Sequence, residues 1–489
     1  MGKKAIVVGA GIGGIAIALR LRKKGYEVHV FEKNAYPGGK LSEITSEGFR
    51  FDAGPSLLTM PYLIDDLFRL YDRDPKVYFK YDTLNIACNY FFSDQTELSA
   101  YADRAKFIQE FTSKTGIAPR TLRRFLARSK YIWDVTNPLF LKKSLHRLST
   151  YLRIDTLIRA FQLPYLGIGR NMARSNHSNL SNTKAEQYFN RYATYNGSNP
   201  YKAPATLNVI SYLEHFEGAY YPKDGMISIT QSLIKLAKEE GVQFHFEQSV
   251  SEILVKNKRA TGIKTKQEEI QGDIVISNAD IHPTYMHLLP NHSIPKRIKN
   301  QERSSSAFIF YWGINAQFNQ LEAHNILFSS DYEQEFREIW NEKRIPEDPT
   351  VYINISSKYN ESDAPIGCEN WFVMINVPSN VNINWEQSKD EIRARVIQII
   401  NNRLNTDIEK HIATENVLTP KDIEMKTGSF SGSLYGSASN DVMAAFFRQS
   451  NQLKIAKNLY AVGGSVHPGG GIPLCLLSAK ITSEMIPEA

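Results

Sequence analysis

The chain has 489 residues, 42% of them hydrophobic and 22% charged, with a formal net charge of +7. That is enough apolar material for a globular protein of two or three domains, and no stretch approaches the roughly 18 uninterrupted apolar residues of a membrane span. Cys88, Cys368 and Cys475 are far apart and odd in number with no CxxC pair, which supports neither a disulfide framework nor a zinc or other metal site and fits a reduced cytoplasmic setting.

Residues 5–40 read AIVVGAGIGGIAIALRLRKKGYEVHVFEKNAYPGGK, a pattern that predicts a strand, a glycine turn, a helix, and a second strand ending on Glu32. In a dinucleotide-binding unit Gly9 makes the tight turn, Gly11 lets backbone approach a pyrophosphate, and Gly14 lets the helix pack closely on the sheet. The phosphates are expected at the helix N-terminus, where free N–H groups and the macrodipole favour anions. Glu32 follows Gly14 by 18 residues, where a carboxylate can accept both ribose hydroxyls. Lys3 and Lys4 ahead of the apolar run 5–19 imitate an export signal. Four glycines inside the run, and Arg20, Arg22, Lys23 and Lys24 directly after it, argue against export. Ile6, where Ser or Thr is required, argues against myristoylation, so an unprocessed chain is expected.

Next, Gly38 and Gly39 can bring backbone near a cofactor, and Lys40 can hold a phosphate or ribityl oxygen; an ordinary turn with a solvated lysine is the plainer alternative. The run GFRFDAGPSLLTMP at 48–61 reads as strand-like. A nicotinamide dehydrogenase would continue here with more βα units, so FAD is favoured over NAD.

The stretch 114–174 holds thirteen Lys and Arg against Asp134 and Asp155, a net +11, leaving −4 for the rest of the chain. Phe125, Trp133, Phe140, Tyr151, Phe161 and several leucines are interleaved. Basic helices with an aromatic and apolar face suit docking on an anionic membrane surface, with Trp133, Phe140 and the leucines inserting. A solvated charged face is the alternative, and no nucleic-acid-reading motif is present.

Further on, a helix is predicted over about 228–240, followed by strand-like VQFHFE, SVSEILVK, RATGIKT and DIVISNAD. The segments SAFIFYWGI (306–314), VYINIS (351–356) and WFVMINV (371–377) are apolar at nearly every position and predict buried strands, able to floor a hydrophobic tunnel or simply to form core. Finally, NLYAVGGSVHPGGGIPLCLLSAKITSEM at 458–485 predicts a short strand, a glycine stretch and a helix opening at Pro473, where a missing N–H costs nothing. Gly469, Gly470 and Gly471 would let flat backbone lie against a planar ring. The helix N-terminus would favour the negative charge of a reduced flavin.

Taken together, GAGIGG, PGGKLSE, FDAGPSLLTMP, ISNAD (276–280) and HPGGGIP (467–473) resemble the FAD-dependent carotenoid desaturases of the bacterial phytoene desaturase family over the full length. Two departures are Leu474, where members often have Gly, and YPKDG (221–225) in place of a commoner double glycine. The resemblance implies an α/β fold: a Rossmann-like FAD-binding domain of the glutathione reductase/amine oxidase type, with a discontinuous mixed α+β substrate domain. The FAD-binding domain is expected at 1–75, 220–285 and 420–489, and the substrate and membrane-docking domain at 76–219 and 286–419.

The same resemblance implies FAD contacts at Gly9, Gly11, Gly14, Glu32, Gly39, Lys40, Gly54, Ser56, Leu57, Val250, Asn278, Gly463, Gly464, Gly471 and Ile472. Read from its residues alone, Val250 is a core strand position. The implied reaction is hydride removal from a lipophilic carotenoid to create a conjugated double bond, by a protein lying peripherally on the inner face of the membrane. With one nucleotide fingerprint, oxygen or a quinone is the expected electron acceptor. Within the family the look leans to 3,4-desaturation of a 1-hydroxylated carotenoid; phytoene desaturation and redox-neutral carotene isomerisation are the family alternatives. An amine oxidase and a non-enzymatic prenyl-binding escort protein are the alternatives from other classes. Glu214, His215, Glu217 and His467 are candidate proton acceptors, each equally readable as structural, and no catalytic residue is assigned.

Overall fold

A computed structural model of the chain describes residues 2–146, 150, 156, 162, 166–167, 169–379, 382–441, 444 and 448–489. One end is built on a five-stranded parallel sheet in the order Leu459–Ala461, Ile274–Ser277, Lys4–Val8, Glu27–Phe31, Gln243–His245. Parallel sheets are covered on both faces, which is why their strands read as continuous apolar runs. Helix Ile12–Lys23 joins the first two strands and packs beside Ile227–Glu239 and Ile472–Met485 on one face. On the other lies an antiparallel sheet of Val250–Lys256, Arg259–Thr265 and Glu269–Gln271.

A second sheet of seven strands runs Ile412–Leu418, Ser306–Ile314, Glu369–Val377, Val351–Ile355, His324–Leu327, Ile86–Phe91, Glu97–Tyr101. Its neighbours are antiparallel except His324–Leu327 against Ile86–Phe91. Ser306–Ile314 is buried at every position. Phe308, Phe310 and Trp312 pack on one side against helix Trp385–Leu404, while Ile309 on the other side faces a cavity that Phe372 and Met374 also line. Burial on both faces explains the unbroken apolar reading of that strand.

Two expectations change. The strand expected across 48–61 is only Phe49–Asp52, paired with Glu43–Ser46. It stops because the next residues fold back over the 38–41 turn: a Cβ on Gly54 would lie 1.9 Å from the Lys40 carbonyl oxygen. Asp52 holds the bend, accepting from Tyr221 Oη at 2.7 Å and from the Met226 N–H at 3.0 Å. FDAGP and YPKDG are thereby one structural unit.

The second change concerns the basic segment. In helix Pro119–Thr136, Arg120, Arg123, Arg124 and Lys130 are exposed, but Phe125, Leu126, Ile132 and Trp133 are buried. Trp133 stacks on Tyr212 with centroids 5.1 Å apart, and Phe140 is half-buried on the cavity wall. The expected insertion of Trp133 and Phe140 into lipid is therefore corrected: this aromatic face serves the protein's own interior. Arg147, Leu148, Tyr151, Leu152, Arg153, Asp155, Leu157, Ile158, Arg159, Phe161 and Leu163 lie outside the described residues. Among the described residues no helix is long and apolar enough to cross a membrane.

Candidate functional site

Three glycine-bearing turns meet at the C-terminal edge of the parallel sheet. At the first, the Ala10 N–H donates to Glu32 Oε2 at 2.8 Å and the Asn34 N–H to Oε1 at 2.9 Å, so the buried carboxylate is held at the tip of its strand with lone pairs to spare. The double-glycine turn is laid on the first by Gly38 N–H donating to the Ala10 carbonyl at 2.8 Å. Between the first and last turns stands Asn278, whose Nδ2 donates to the Val462 carbonyl at 3.2 Å. A Cβ on Gly11, Gly13 or Gly463 would come within 2.8, 2.9 or 2.7 Å of its amide. Glycine at these positions makes room for that side chain. Gly14 has a different duty: a Cβ there would sit 2.1 Å from the Gly9 carbonyl oxygen.

These turns open into a cavity of about 1270 Å³, above the roughly 300–1,000 Å³ of a single small-molecule site. Gly9, Gly11, Glu32, Gly39, Lys40, Gly54, Ser56, Leu57, Val250, Asn278, Gly463, Gly464, Gly471 and Ile472 all border it. Gly14 does not; it lies beneath the turn, in the helix–sheet contact. Val250 is half-buried rather than core. Lys40 borders the cavity, yet its Nζ donates to the carbonyls of Ser433, at 3.1 Å, and Leu434. Burial pushes its ammonium down to about 8, with Asp280 opposing that shift. Asp280, the last residue of ISNAD, is itself ion-paired with Arg303.

Sequence reasoning missed the supports behind the last turn. Arg448 is buried and donates to the carbonyls of Tyr435, at 3.3 Å, and Gly464, at 3.2 Å. Burial pushes its guanidinium down to about 10. Tyr435 packs so closely that a Cβ on Gly470 would lie 2.9 Å from its own Cβ. Pro473 is in the first turn of helix Ile472–Met485, as the sequence predicts. Neither supporting residue belongs to a glycine motif, so no local signal marks them.

The cavity continues to a polar region that includes Arg191, Tyr195, His324 and Tyr352. Glu214 lies behind it, paired with Arg191 Nη2 at 3.3 Å and accepting from Tyr192 Oη at 2.7 Å and Tyr195 Oη at 2.8 Å. Although burial opposes ionisation, Arg191 and these hydroxyls hold its carboxyl below the ordinary value. His215 Nε2 meets Tyr188 and Tyr192 hydroxyls, each at 3.1 Å, and Glu217 accepts from Tyr212 Oη at 2.9 Å. Of the four candidate proton acceptors, His467 alone borders the cavity. Its Nε2 faces the Lys143 carbonyl at 2.8 Å. A carbonyl only accepts, so Nε2 carries the proton and Nδ1 the lone pair. Burial lowers this imidazole to about 4.

A family profile described as flavin containing amine oxidoreductase matches residues 12–486. The chain belongs to this family. Its cofactor is accordingly a flavin, and the chain is an oxidoreductase by family. It is 50% identical to a 1-hydroxycarotenoid 3,4-desaturase from Flavobacterium sp. (strain P99-3), covering 99% of both chains. It is 32% identical to a 4,4'-diaponeurosporene oxygenase from Staphylococcus haemolyticus (strain JCSC1435), covering 99% of this chain and 97% of that one. Among solved structures it is similar to an oxidoreductase from Methanosarcina mazei, with a TM-score of 0.66, 16% identity, and coverage of 98% of this chain and 100% of that one. At that identity the likeness speaks for the fold alone, and it agrees with the Rossmann-like architecture above.

Proposed function

We propose that the protein is an FAD-dependent carotenoid desaturase that creates a conjugated double bond between carbons 3 and 4 of a 1-hydroxylated carotenoid. The observation that carries this reading is one continuous cavity of about 1270 Å³, running from Glu32 and Val250 past Gly471 to an apolar wall of Ile309, Phe372 and Met374. Its size suits a cofactor and an elongated apolar substrate together. The desaturase that is half identical over the whole chain supports the substrate class. Glu32 supports FAD over a mononucleotide, because a carboxylate at that strand tip serves the far ribose of a dinucleotide. In this reading 1–75, 220–285 and 420–489 hold the cofactor, and 76–219 and 286–419 enclose the substrate.

Bound there, the flavin would supply hydride acceptance. The chain would supply the rest. The N-terminus of helix Ile472–Met485 would direct positive potential toward the glycine turn, and the apolar walls would keep water out. A polyene stabilises the cation left at an allylic carbon, so positioning counts for more than a strong base. His467 is our choice for receiving the second hydrogen as a proton, on the strength of its cavity position and its Nδ1 lone pair. The exposed basic face of helix Pro119–Thr136 would draw the protein to the anionic inner face of a membrane, where lipid-dissolved substrate and a quinone are available; oxygen is the other acceptor.

The test is product analysis in a host that makes 1-hydroxylated carotenoids. The expected product has one more conjugated double bond. Unchanged carotenoid, or an isomer of equal mass, would contradict the proposal.

A further inference from the structure

The recognition of the substrate's hydroxyl follows from the 3,4-desaturase reading and rests on it. When carbon 1 carries the hydroxyl and the bond between carbons 3 and 4 is oxidised, only carbon 2 separates the two. Groups that read the hydroxyl must therefore border the cavity beside the cofactor, not at the remote end of a tunnel.

A hydrogen-bonded relay starts at Ser56, in the segment expected to touch the cofactor. Ser56 Oγ is 2.6 Å from Tyr352 Oη, which is 2.7 Å from His324 Nδ1. Asn354 Nδ2 also reaches His324 Nδ1, at 3.2 Å, while donating to the Ala323 carbonyl at 2.8 Å. The carbonyl only accepts, which fixes the amide orientation; an amide nitrogen only donates, so Nδ1 accepts and the His324 proton is on Nε2. That Nε2–H has no hydrogen-bond partner among the described residues, although His324 is only 2% exposed. Burial lowers the imidazole to about 4, so it offers this single N–H at neutral pH.

Arg191 repeats the pattern. Its Nη2 is committed to Tyr90 and Glu214, while its Nε–H has no partner among the described residues and the residue is 4% exposed. Both side chains border the same cavity. Buried donors are ordinarily paired, and an unpaired one costs stability until something supplies an acceptor.

We propose that His324 Nε2–H and Arg191 Nε–H receive the oxygen of the substrate's carbon-1 hydroxyl, which makes them the specificity-determining donors of the site. Glu214 and the tyrosines around Arg191 act as positioning residues that keep the guanidinium in place. A polyene without the hydroxyl leaves both donors unpaired and is selected against, as happens wherever a buried polar site meets an analogue lacking its partner.

The experiment uses a matched pair of polyenes differing only in the carbon-1 hydroxyl. Wild type should prefer the hydroxylated one at least about tenfold in kcat/KM. His324→Phe should cut that ratio several-fold, mainly through loss on the hydroxylated substrate. His324→Gln, with an amide nitrogen near the position of Nε2, should regain part of it. Arg191→Lys keeps the ion pair with Glu214 but lacks Nε–H, and gives a second measurement if His324→Phe does not fold. A merely structural defect would lower both substrates together and leave the ratio alone. Equal turnover of the pair by wild type, or a ratio undiminished in the folded variants, overturns the proposal. If wild type oxidises neither polyene, the desaturase reading fails, and this proposal with it.

Discussion

Gly14→Ala isolates the helix–sheet contact beneath the nucleotide turn. The added Cβ would start 2.1 Å from the Gly9 carbonyl oxygen and 2.9 Å from Asn278 Oδ1. Reaching even 3.0 Å from the Gly9 oxygen requires a displacement of about 0.9 Å, and the obstacle is backbone, which cannot rotate aside. In an unobstructed helix the change would stabilise by about 1 kcal/mol. Overpacking of this kind typically costs about 1–3 kcal/mol, so the net effect is near zero to about 2 kcal/mol of destabilisation. The larger effect falls on binding. Helix Ile12–Lys23 must move away from the turn, or the turn must open, and either shift displaces the N–H groups of Gly11 and Ile12 from the place proposed for a pyrophosphate. The expected result is a folded protein that purifies with much less flavin, read as the ratio of visible flavin absorbance to protein absorbance, with a modestly lower unfolding temperature. Full flavin content with unchanged stability would refute the close-packing explanation.

Other perturbations probe other parts of the site. Glu32→Ala removes the proposed ribose acceptor and the anchor of the Ala10 N–H, so flavin occupancy should fall while the chain stays folded; full occupancy would mean the nucleotide lies elsewhere. Stability should also respond to acid. Burial lowers His215, His324 and His467 to about 4 each, from an ordinary value of 6.5. They stay neutral when folded but are protonated when unfolded, so their contribution is present above 6.5 and lost as pH falls toward 4. Glu335 opposes them: burial raises it to about 7, so its contribution is present below its unfolded value and lost as pH rises through 7. Three protons against one mean that these four groups together lower the unfolding free energy by roughly 2–3 kcal/mol for each unit that pH falls near 5.5; stability that does not fall with acid in this range would refute this. On anionic liposomes, replacing Arg123 and Arg124 by Gln should weaken sedimentation, at about 1 kcal/mol per charge. Because Trp133 is turned inward, binding should also be abolished by high salt; salt-resistant binding would point to insertion.

The βαβ unit was legible because its chemistry is local: turn, helix and acid follow one another within 5–40, and each has a spacing that needs no tertiary partner. The all-buried strand Ser306–Ile314 was legible for a similar reason. The direction of an amphipathic face was not. In helix Pro119–Thr136 the pattern marks an apolar stripe, yet a stripe pairs equally well with lipid or with the chain's own core, and Tyr212 is the partner that decides it. ISNAD led to the expectation of a cofactor contact at Asn278, but its place between Gly11 and Gly463 needs two turns from opposite ends of the chain. Arg191, His324, Tyr352, Tyr435 and Arg448 are single polar residues in separate elements. No local motif marks them until the fold brings the first four to the border of one cavity and sets Arg448 behind the last glycine turn. The strand ending at Asp52 was overrun for the same reason, since Tyr221 and Met226 supply the bend.

The central claim is that one cavity carries out oxidation of a carotenoid by a bound flavin. Its most direct test is a single turnover without oxygen: purified protein is mixed with a 1-hydroxylated carotenoid while flavin and polyene absorbance are followed together. The account predicts that oxidised flavin bleaches in step with the appearance of a polyene longer by one conjugated double bond and lighter by one pair of hydrogens. Product formed while the flavin stays oxidised, or a product of unchanged mass, would contradict it.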